Sequence, residues 1–233
     1  MTKIFVTGGT GFIGSAMTKE LVEKGYIVNA LTHSEKGAKK LTSWGANPIL
    51  GSLEDDDLLT KQAKENDAIL HLGMGMPSYG STFADVMTLD EHVIILMGEA
   101  IKGTNKPLIV THGTASMTPG QFFTENDEAD AAFPQRSPRT SEVAARKLLA
   151  EDVNAYVVRM APSVHGDGDD NHGFIPQRIE DAKKRGYAAN YNGGENRWTA
   201  VHVLDASHLY VLALEYALNQ GNSTSSTLTM KNN

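Results

Sequence analysis

Residues 7–14 read Thr7-Gly8-Gly9-Thr10-Gly11-Phe12-Ile13-Gly14 and follow directly on the apolar run Ile4-Phe5-Val6. The stretch satisfies GxxGxxG at Gly8, Gly11 and Gly14, and GxGxxG at Gly9, Gly11 and Gly14. Where a strand hands over to a helix, such glycines let the backbone approach a diphosphate and let the helix pack tightly on the strand. The helix N-terminus then offers amide hydrogens and the positive end of its dipole to the phosphates. Gly8, Gly9, Thr10, Gly11, Phe12, Ile13 and Gly14 are thus the first candidate cofactor-binding residues.

Outward from this turn, short apolar runs alternate with amphipathic stretches. Ile4–Thr7, Ile27–Leu31, the stretch from Asn47, Asp67–Leu72, Leu108–Thr111 and Ala155–Arg159 read as six strands. Helices are expected at about Ile13–Lys24, Lys36–Trp44, after Leu53, over Thr82–Lys102, and from a Ser137 N-cap with Pro138 at the first helical position. Alternating strands and helices imply an α/β fold with a doubly wound parallel sheet covered on both faces. The expected division is a nucleotide-binding domain over 1–160, then a small loop-rich C-terminal substrate lobe with a closing helix over 161–218. Residues 219–233 form a polar tail expected to be disordered.

Composition narrows the function. The 233 residues carry 40% hydrophobic residues and 22 glycines, an ordinary globular balance. With 21 Lys+Arg against 28 Asp+Glu the net charge is −7, which repels a phosphate backbone and argues against a nucleic-acid partner. The absence of cysteine excludes thiolate nucleophiles, disulfides and thiolate metal sites. No apolar run reaches the ~18 residues of a membrane span, and Met1 leads into a strand pattern without a secretory segment. The expectation is a cytoplasmic protein acting on a small molecule, with Asn222-Ser-Thr a chance glycosylation match.

The second strand ends Leu31-Thr-His-Ser-Glu-Lys36. An NAD site usually places a carboxylate near here for the ribose 2′-hydroxyl. Positions 31–34 hold none, whereas His33, Ser34 and Lys36 suit a 2′-phosphate, so NADP(H) is preferred over NAD(H). Glu35 turned inward is the NAD alternative. Leu72 and Gly73, after the fourth strand, complete the candidate cofactor contacts. Met74 and Met76 beyond them form an apolar wall or plain core.

Thr-Gly-Gly-Thr-Gly-Phe-Ile-Gly resembles the opening of the extended and atypical short-chain dehydrogenase/reductases, the NAD-dependent epimerase/dehydratase group of Rossmann proteins. Ile109–Thr114 resembles the family's fifth strand, Arg159–Gly166 its sixth strand and following turn, and Asn196–Asp205 the segment that re-enters beside the substrate. Gly51-Ser52-Leu53 stands where the family has Gly-Asp-Leu beside the adenine, which makes Ser52 and Leu53 candidate contacts. The resemblance also implies a homodimer paired through the helices of residues 83–102 and 138–152. In the family, a Tyr-x-x-x-Lys on the helix after the fifth strand exchanges a proton with the substrate and holds the ribose. This sequence has no Tyr-x-x-x-Lys; aligning Ser141-Glu142 with the family's Ser-Lys puts Pro138 and Glu142 in the two key places.

The resemblance puts the active-site hydroxyl at Thr114. His112, His165 and His202 are the candidate proton carriers, since imidazole exchanges protons near neutral pH. Arg159, Ser163, Arg197 and Trp198 are candidate substrate contacts, with an ion pair the alternative for Arg159 and packing the alternative for Arg197 and Trp198. His165-Gly-Asp-Gly-Asp-Asp-Asn-His172 invites a calcium reading, but its sixth and twelfth positions are His172 and Arg178 where Gly and Glu are needed, so no metal is expected. Hydrolase, zinc-protease and kinase signatures are absent from the sequence. The sequence therefore points to an NADP(H)-preferring oxidoreductase acting on a carbonyl or activated double bond. The alternatives are a non-catalytic NADP(H)-binding sensor and a nucleotide-sugar epimerase or dehydratase.

Overall fold

The computed structural model describes residues 1–74, 82–117, 120–128, 140–168, 174–190, 192–195, 197–220 and 227–229. The apolar runs form strands and the amphipathic stretches helices, in the order β1 (Lys3–Thr7), α1 (Phe12–Glu23), β2 (Ile27–Thr32), α2 (Glu35–Ser43), β3 (Asn47–Leu50), α3 (Asp56–Glu65), β4 (Ala68–His71), α4 (Phe83–Ile101), β5 (Leu108–Gly113), α5 (Ser141–Ala150) and β6 (Ala155–Met160). The expected Ser137 cap and Pro138 lie outside the described residues; the helix itself begins at Ser141.

The main sheet runs β3-β2-β1-β4-β5-β6, with every pair parallel. Sequence order reverses between β1 and β4, and such a switch point opens a crevice at the carboxyl edge where ligands bind. Because side chains alternate along a strand, each strand contributes to two cores. Ile4, Val6, Leu70, Ile109 and Val158 pack with Met17 and Leu21 of α1. Phe5, Ile69, Val110 and Val157 pack against α3, α4 and α5 through residues such as Leu59, Met97 and Leu148.

Beyond β6 the structure differs from the sequence reading in three places. The lobe contains β7 (Ser163–His165), α6 (Phe174–Arg185) and β8 (Ala200–His202), with β7 and β8 paired in parallel. Ile175 and Ile179 of α6 are 53% and 49% exposed, so the apolar pair on this helix is not buried in the core. The closing helix α7 (Val203–Gln220) reaches beyond the lobe strands it touches: Ala206, Tyr210, Val211, Leu214 and Ala217 are buried in the core shared with α1. Finally, the tail is not uniformly without structure, because Thr227–Thr229 form β9, parallel to β6 at the sheet edge.

Candidate active site

The glycine turn is shaped by two close approaches. Gly8 has φ +74° and packs so near the β4 exit that an added Cβ would lie 2.7 Å from the Gly73 nitrogen. At Gly14 an added Cβ would overlap the Gly8 carbonyl oxygen. Gly11 is different. Its N–H donates to the Gly8 carbonyl at 3.0 Å, its φ is an ordinary −73°, and an added Cβ would meet only that same carbonyl, at 3.2 Å. The fold therefore uses the missing side chains of Gly8 and Gly14, while that of Gly11 clears space outside the protein.

Gly11 is also the N-cap of α1, and no side chain caps this helix. Ser34, Asp55 and Thr82 do cap α2, α3 and α4. The first-turn amides of α1, including those of Phe12 and Ile13, are thus left for another acceptor. A concave turn with a cleared middle position and free amides at a helix N-terminus fits a dinucleotide diphosphate. Gly9 is held by the Thr18 hydroxyl, which donates to its carbonyl at 3.2 Å, and Thr10 borders the turn half-exposed. On the far wall the Gly73 N–H donates to Thr7 Oγ1 at 3.0 Å, and Leu72 is half-buried beside it.

At the end of β2, His33 and Lys36 are exposed beside the α2 N-terminus. The Ser34 hydroxyl accepts from the Gly37 N–H at 3.1 Å, and the Ser52 hydroxyl accepts from the Glu54 N–H at 3.1 Å. Both oxygens hold turns, and each hydroxyl keeps its proton to donate to a ligand. Leu53 packs against the α3/α4 core. Met74 is exposed, and Met76 lies outside the described residues.

Along the carboxyl edge runs a line of buried polar groups. Thr7 Oγ1 lies 2.7 Å from His71 Nδ1, His71 Nε2 lies 3.1 Å from Asp90 Oδ1, and Ser141 Oγ donates to Asp90 Oδ2 at 2.6 Å. Thr7 Oγ1 also accepts from the Gly73 N–H, so the same hydroxyl links the β4 exit to the His71 ring. The chain thereby joins the glycine turn, through β4 and α4, to the first turn of α5.

The next residue of α5, Glu142, anchors a second cluster. Arg159 donates from Nε and Nη2 to the two Glu142 carboxylate oxygens at 3.0 and 2.6 Å, and from Nη2 to the Asp127 carbonyl at 2.7 Å. Arg146 Nε donates to Glu142 at 3.0 Å, and His112 Nε2 sits 3.9 Å from Glu142 Oε2. Burial pushes the Glu142 carboxyl up, but the hydrogen bonds and charge of Arg159, with His112 and Arg146, outweigh it and hold Glu142 below the usual carboxylate range. The substrate role considered for Arg159 is corrected here. Its side chain is 0% exposed and its bidentate fork is committed to Glu142.

Thr114 follows β5 in a short 3-10 turn, buried, with Oγ1 3.3 Å from Thr199 Oγ1. This contact brings the re-entering segment over the edge of β5, and with it Arg197 and Trp198, both exposed. His165 and His202 are register partners across β7 and β8, with ring centroids 5.6 Å apart. His202 is occupied by the fold: its Nδ1 accepts from the Leu204 N–H at 3.3 Å, and an added Cβ on Gly166 would lie 2.9 Å from Nε2. His165 is exposed, and Ser163 is half-buried at the start of β7. Three of the four catalytic candidates therefore separate into a lobe pair, His165 and His202, and a β5 residue, His112, close in sequence to Thr114. The acidic run 169–172 lies outside the described residues, and among those described no three His, Asp or Glu side chains gather as metal ligands. Thr199, Asp90 and Ser141 escaped the sequence reading, and Glu142 entered it only as a missing lysine.

A family model described as the NAD dependent epimerase/dehydratase family matches residues 4–224. The chain belongs to that family. An uncharacterised protein of Schizosaccharomyces pombe is 40% identical over 214 residues, which cover 91% of this chain and 70% of that one. A 4-hydroxy-2-methyl-3-oxo-4-farnesyl-3,4-dihydroquinoline-1-oxide ketoreductase of Stigmatella aurantiaca is 25% identical over 218 residues, covering 91% and 64%. Among solved structures, a UDP-glucose-4-epimerase from Stenotrophomonas maltophila with bound NAD superposes with a TM-score of 0.76 at 17% identity. The match covers 99% of this chain and 78% of that one, and it establishes the shared fold. Among the described residues no helix is long and apolar enough to cross a membrane.

Proposed function

We propose that this family member is an NAD(P)H-dependent oxidoreductase that reduces a carbonyl or activated double bond of a small metabolite, with NADP(H) the preferred cofactor. The observation that carries the reading is Gly11: its missing side chain clears space for a ligand that the fold itself does not need. A ketoreductase among the relatives supports the reaction class. The bound nicotinamide supplies hydride chemistry. The amides of the Gly8–Gly14 turn hold the diphosphate, and His33, Lys36 and the α2 N-terminus receive the 2′-phosphate. Thr114 offers its hydroxyl to the substrate carbonyl, Ser163 borders the pocket, and Arg197 and Trp198 flank an anionic or planar substrate. The protein acts in the cytoplasm and pairs as a homodimer through α4 and α5.

The test is a titration with NADPH and NADH followed by nicotinamide fluorescence, then a panel of carbonyl substrates. Micromolar NADPH binding that Gly11→Asp abolishes, with a weaker NADH response, is the expected result. Binding of neither nucleotide ends the enzyme reading. A sensor role is the second reading, favoured by Glu142 at the place of the family's lysine. It requires nucleotide binding without turnover and an assembly state that changes between NADP⁺ and NADPH. Nucleotide-sugar isomerisation ranks third, because the solved epimerases share the fold at 17% identity.

A further inference from the structure

Taking the proposed carbonyl reduction as its basis, we propose that His112 delivers the proton to the substrate's carbonyl oxygen and that Glu142 is the positioning carboxylate behind it. Elsewhere the family uses a neutral acid beside a cation; this chain would use a cationic acid beside a carboxylate. Both arrangements set a proton donor next to a fixed charge of the sign that tunes it.

The other histidines near the carboxyl edge are spoken for or misplaced. His71 is closed between Thr7 and Asp90, and His202 is bonded through Nδ1 to the α7 N-terminus with Gly166 packed on Nε2. His165 is exposed on the lobe. His112 lies on β5 two residues before Thr114, at the edge where parallel sheets bind ligands, with Glu142 Oε2 3.9 Å from its Nε2. Both side chains are at most 5% exposed, so the interaction is weakly screened by water.

The rest of the cluster decides how such a pair behaves. From β6, Arg159 grips both Glu142 oxygens; from α5, Arg146 bonds the same carboxylate and reaches toward Glu128 at 3.9 Å. The 120–128 segment contributes the Asp127 carbonyl to Arg159, while the Asp127 carboxylate is held by Thr124. From β4 and α4, His71 and Asp90 are satisfied by Thr7 and Ser141. Arg159 therefore has two effects. It keeps Glu142 ionised, so Glu142 is not the proton donor, and it offsets part of the carboxylate charge that His112 faces.

The step balances as follows: the carbonyl carbon takes a hydride, with its two electrons, from the reduced nicotinamide, and the carbonyl oxygen takes a proton from the His112 imidazolium. An alcohol, the oxidised nicotinamide and a neutral imidazole result, and a solvent proton restores the ring.

The experiment compares the full-length wild type with His112→Asn, Glu142→Gln and Glu142→Asp. Nucleotide affinity serves as the control for folding. The assigned His112 ring is titrated by NMR in the protein alone, and kcat is then measured against pH. The expected results are a His112 titration that moves to lower pH in Glu142→Gln and returns toward wild type in Glu142→Asp. In His112→Asn, kcat falls by about a hundredfold with nucleotide affinity unchanged. A ring titration indifferent to Glu142→Gln overturns the pair. An active wild type whose His112→Asn variant keeps its rate overturns the His112 role alone. A wild type that binds nucleotide and reduces no carbonyl overturns the oxidoreductase reading, and this role with it.

Discussion

On the face of the sheet covered by α1 and α7, the strands present Ile4 and Val6, Leu70, Ile109, and Val158 and Met160, all buried and apolar. On the opposite face the same strands begin equally apolar, with Phe5, Ile69, Val110 and Val157, and then end two residues later in Thr7, His71, His112 and Arg159. All four of these polar residues are buried, as are their partners Asp90, Ser141 and Glu142. One face exists to hold the sheet together. The other does that for most of its length and carries chemistry at its carboxyl end. A fold needs no buried ion pair for stability, since well-packed apolar replacements often do as well. The polar row is therefore best explained by what it does at the crevice.

That contrast breaks most visibly at Arg159. Arg159→Met leaves Glu142 buried with the half-exposed Arg146 and the more distant His112 as partners, and the expected loss is about 3 kcal/mol of unfolding free energy in urea titrations. The double variant Arg159→Met/Glu142→Met removes both charges and should recover most of it. A double variant as unstable as the single one would make the row a stability device and undo the contrast.

The glycine turn offers the next contrast, between two neighbouring positions. Gly14→Ala forces a methyl onto the Gly8 carbonyl and should cost about 2 kcal/mol. Gly11→Ala meets a milder 3.2 Å contact with the same carbonyl, so it should cost clearly less stability than Gly14→Ala while weakening nucleotide binding. If both variants lost stability equally, Gly11 would be serving the fold and the case for a ligand there would weaken. On the apolar face, Tyr210 supplies a hydrogen bond to Thr111 at 2.8 Å, and Tyr210→Phe should cost about 1 kcal/mol. Thr111 keeps its bond to the His71 carbonyl, so its own hydroxyl is not stranded. Turnover should not change in this variant.

What could be read from the sequence follows the range of the interactions involved. The six sheet strands and the glycine turn were legible because their signals are local: short continuous apolar runs and a glycine triplet. Helix α6 was missed because the Gly, Asp, Asn and Pro of residues 160–203 read as loop, although Ile175 and Ile179 stand four residues apart on one helical face. The β7–β8 pair was hidden by joining two three-residue segments 35 positions apart. At the site, Thr114 and His112 could be named as candidates from the sequence, yet their partners depend on register. Arg159 meets Glu142 only because β6 lies beside β5 with His112 opposite Arg159, and α5 crosses above them. No spacing in the chain announces a bond between residues 17 apart on different elements.

The smallest expected effect concerns acid. Because Glu142 has its carboxyl held below the usual range in the folded protein, it contributes stability that is present above its unfolded value and lost as pH falls through the lower folded one. Asp85 and Asp127 are also lowered, by backbone and side-chain bonds from Thr82 and Thr124, but both are fully exposed and persist in any variant at residue 142. The informative quantity is thus the difference in unfolding free energy between wild type and Glu142→Gln, measured in urea from neutral pH downward. A protonated glutamic acid closely resembles glutamine in shape and charge, so the two proteins should converge once pH drops below the folded value. The gap should be widest near neutrality, where Arg159 in the variant faces an amide in place of a carboxylate. A gap that stays constant with pH would mean that the shape of residue 142, and not its charge, holds Arg159 in place. The polar row would then lose the fixed negative charge that sets it apart from the other face.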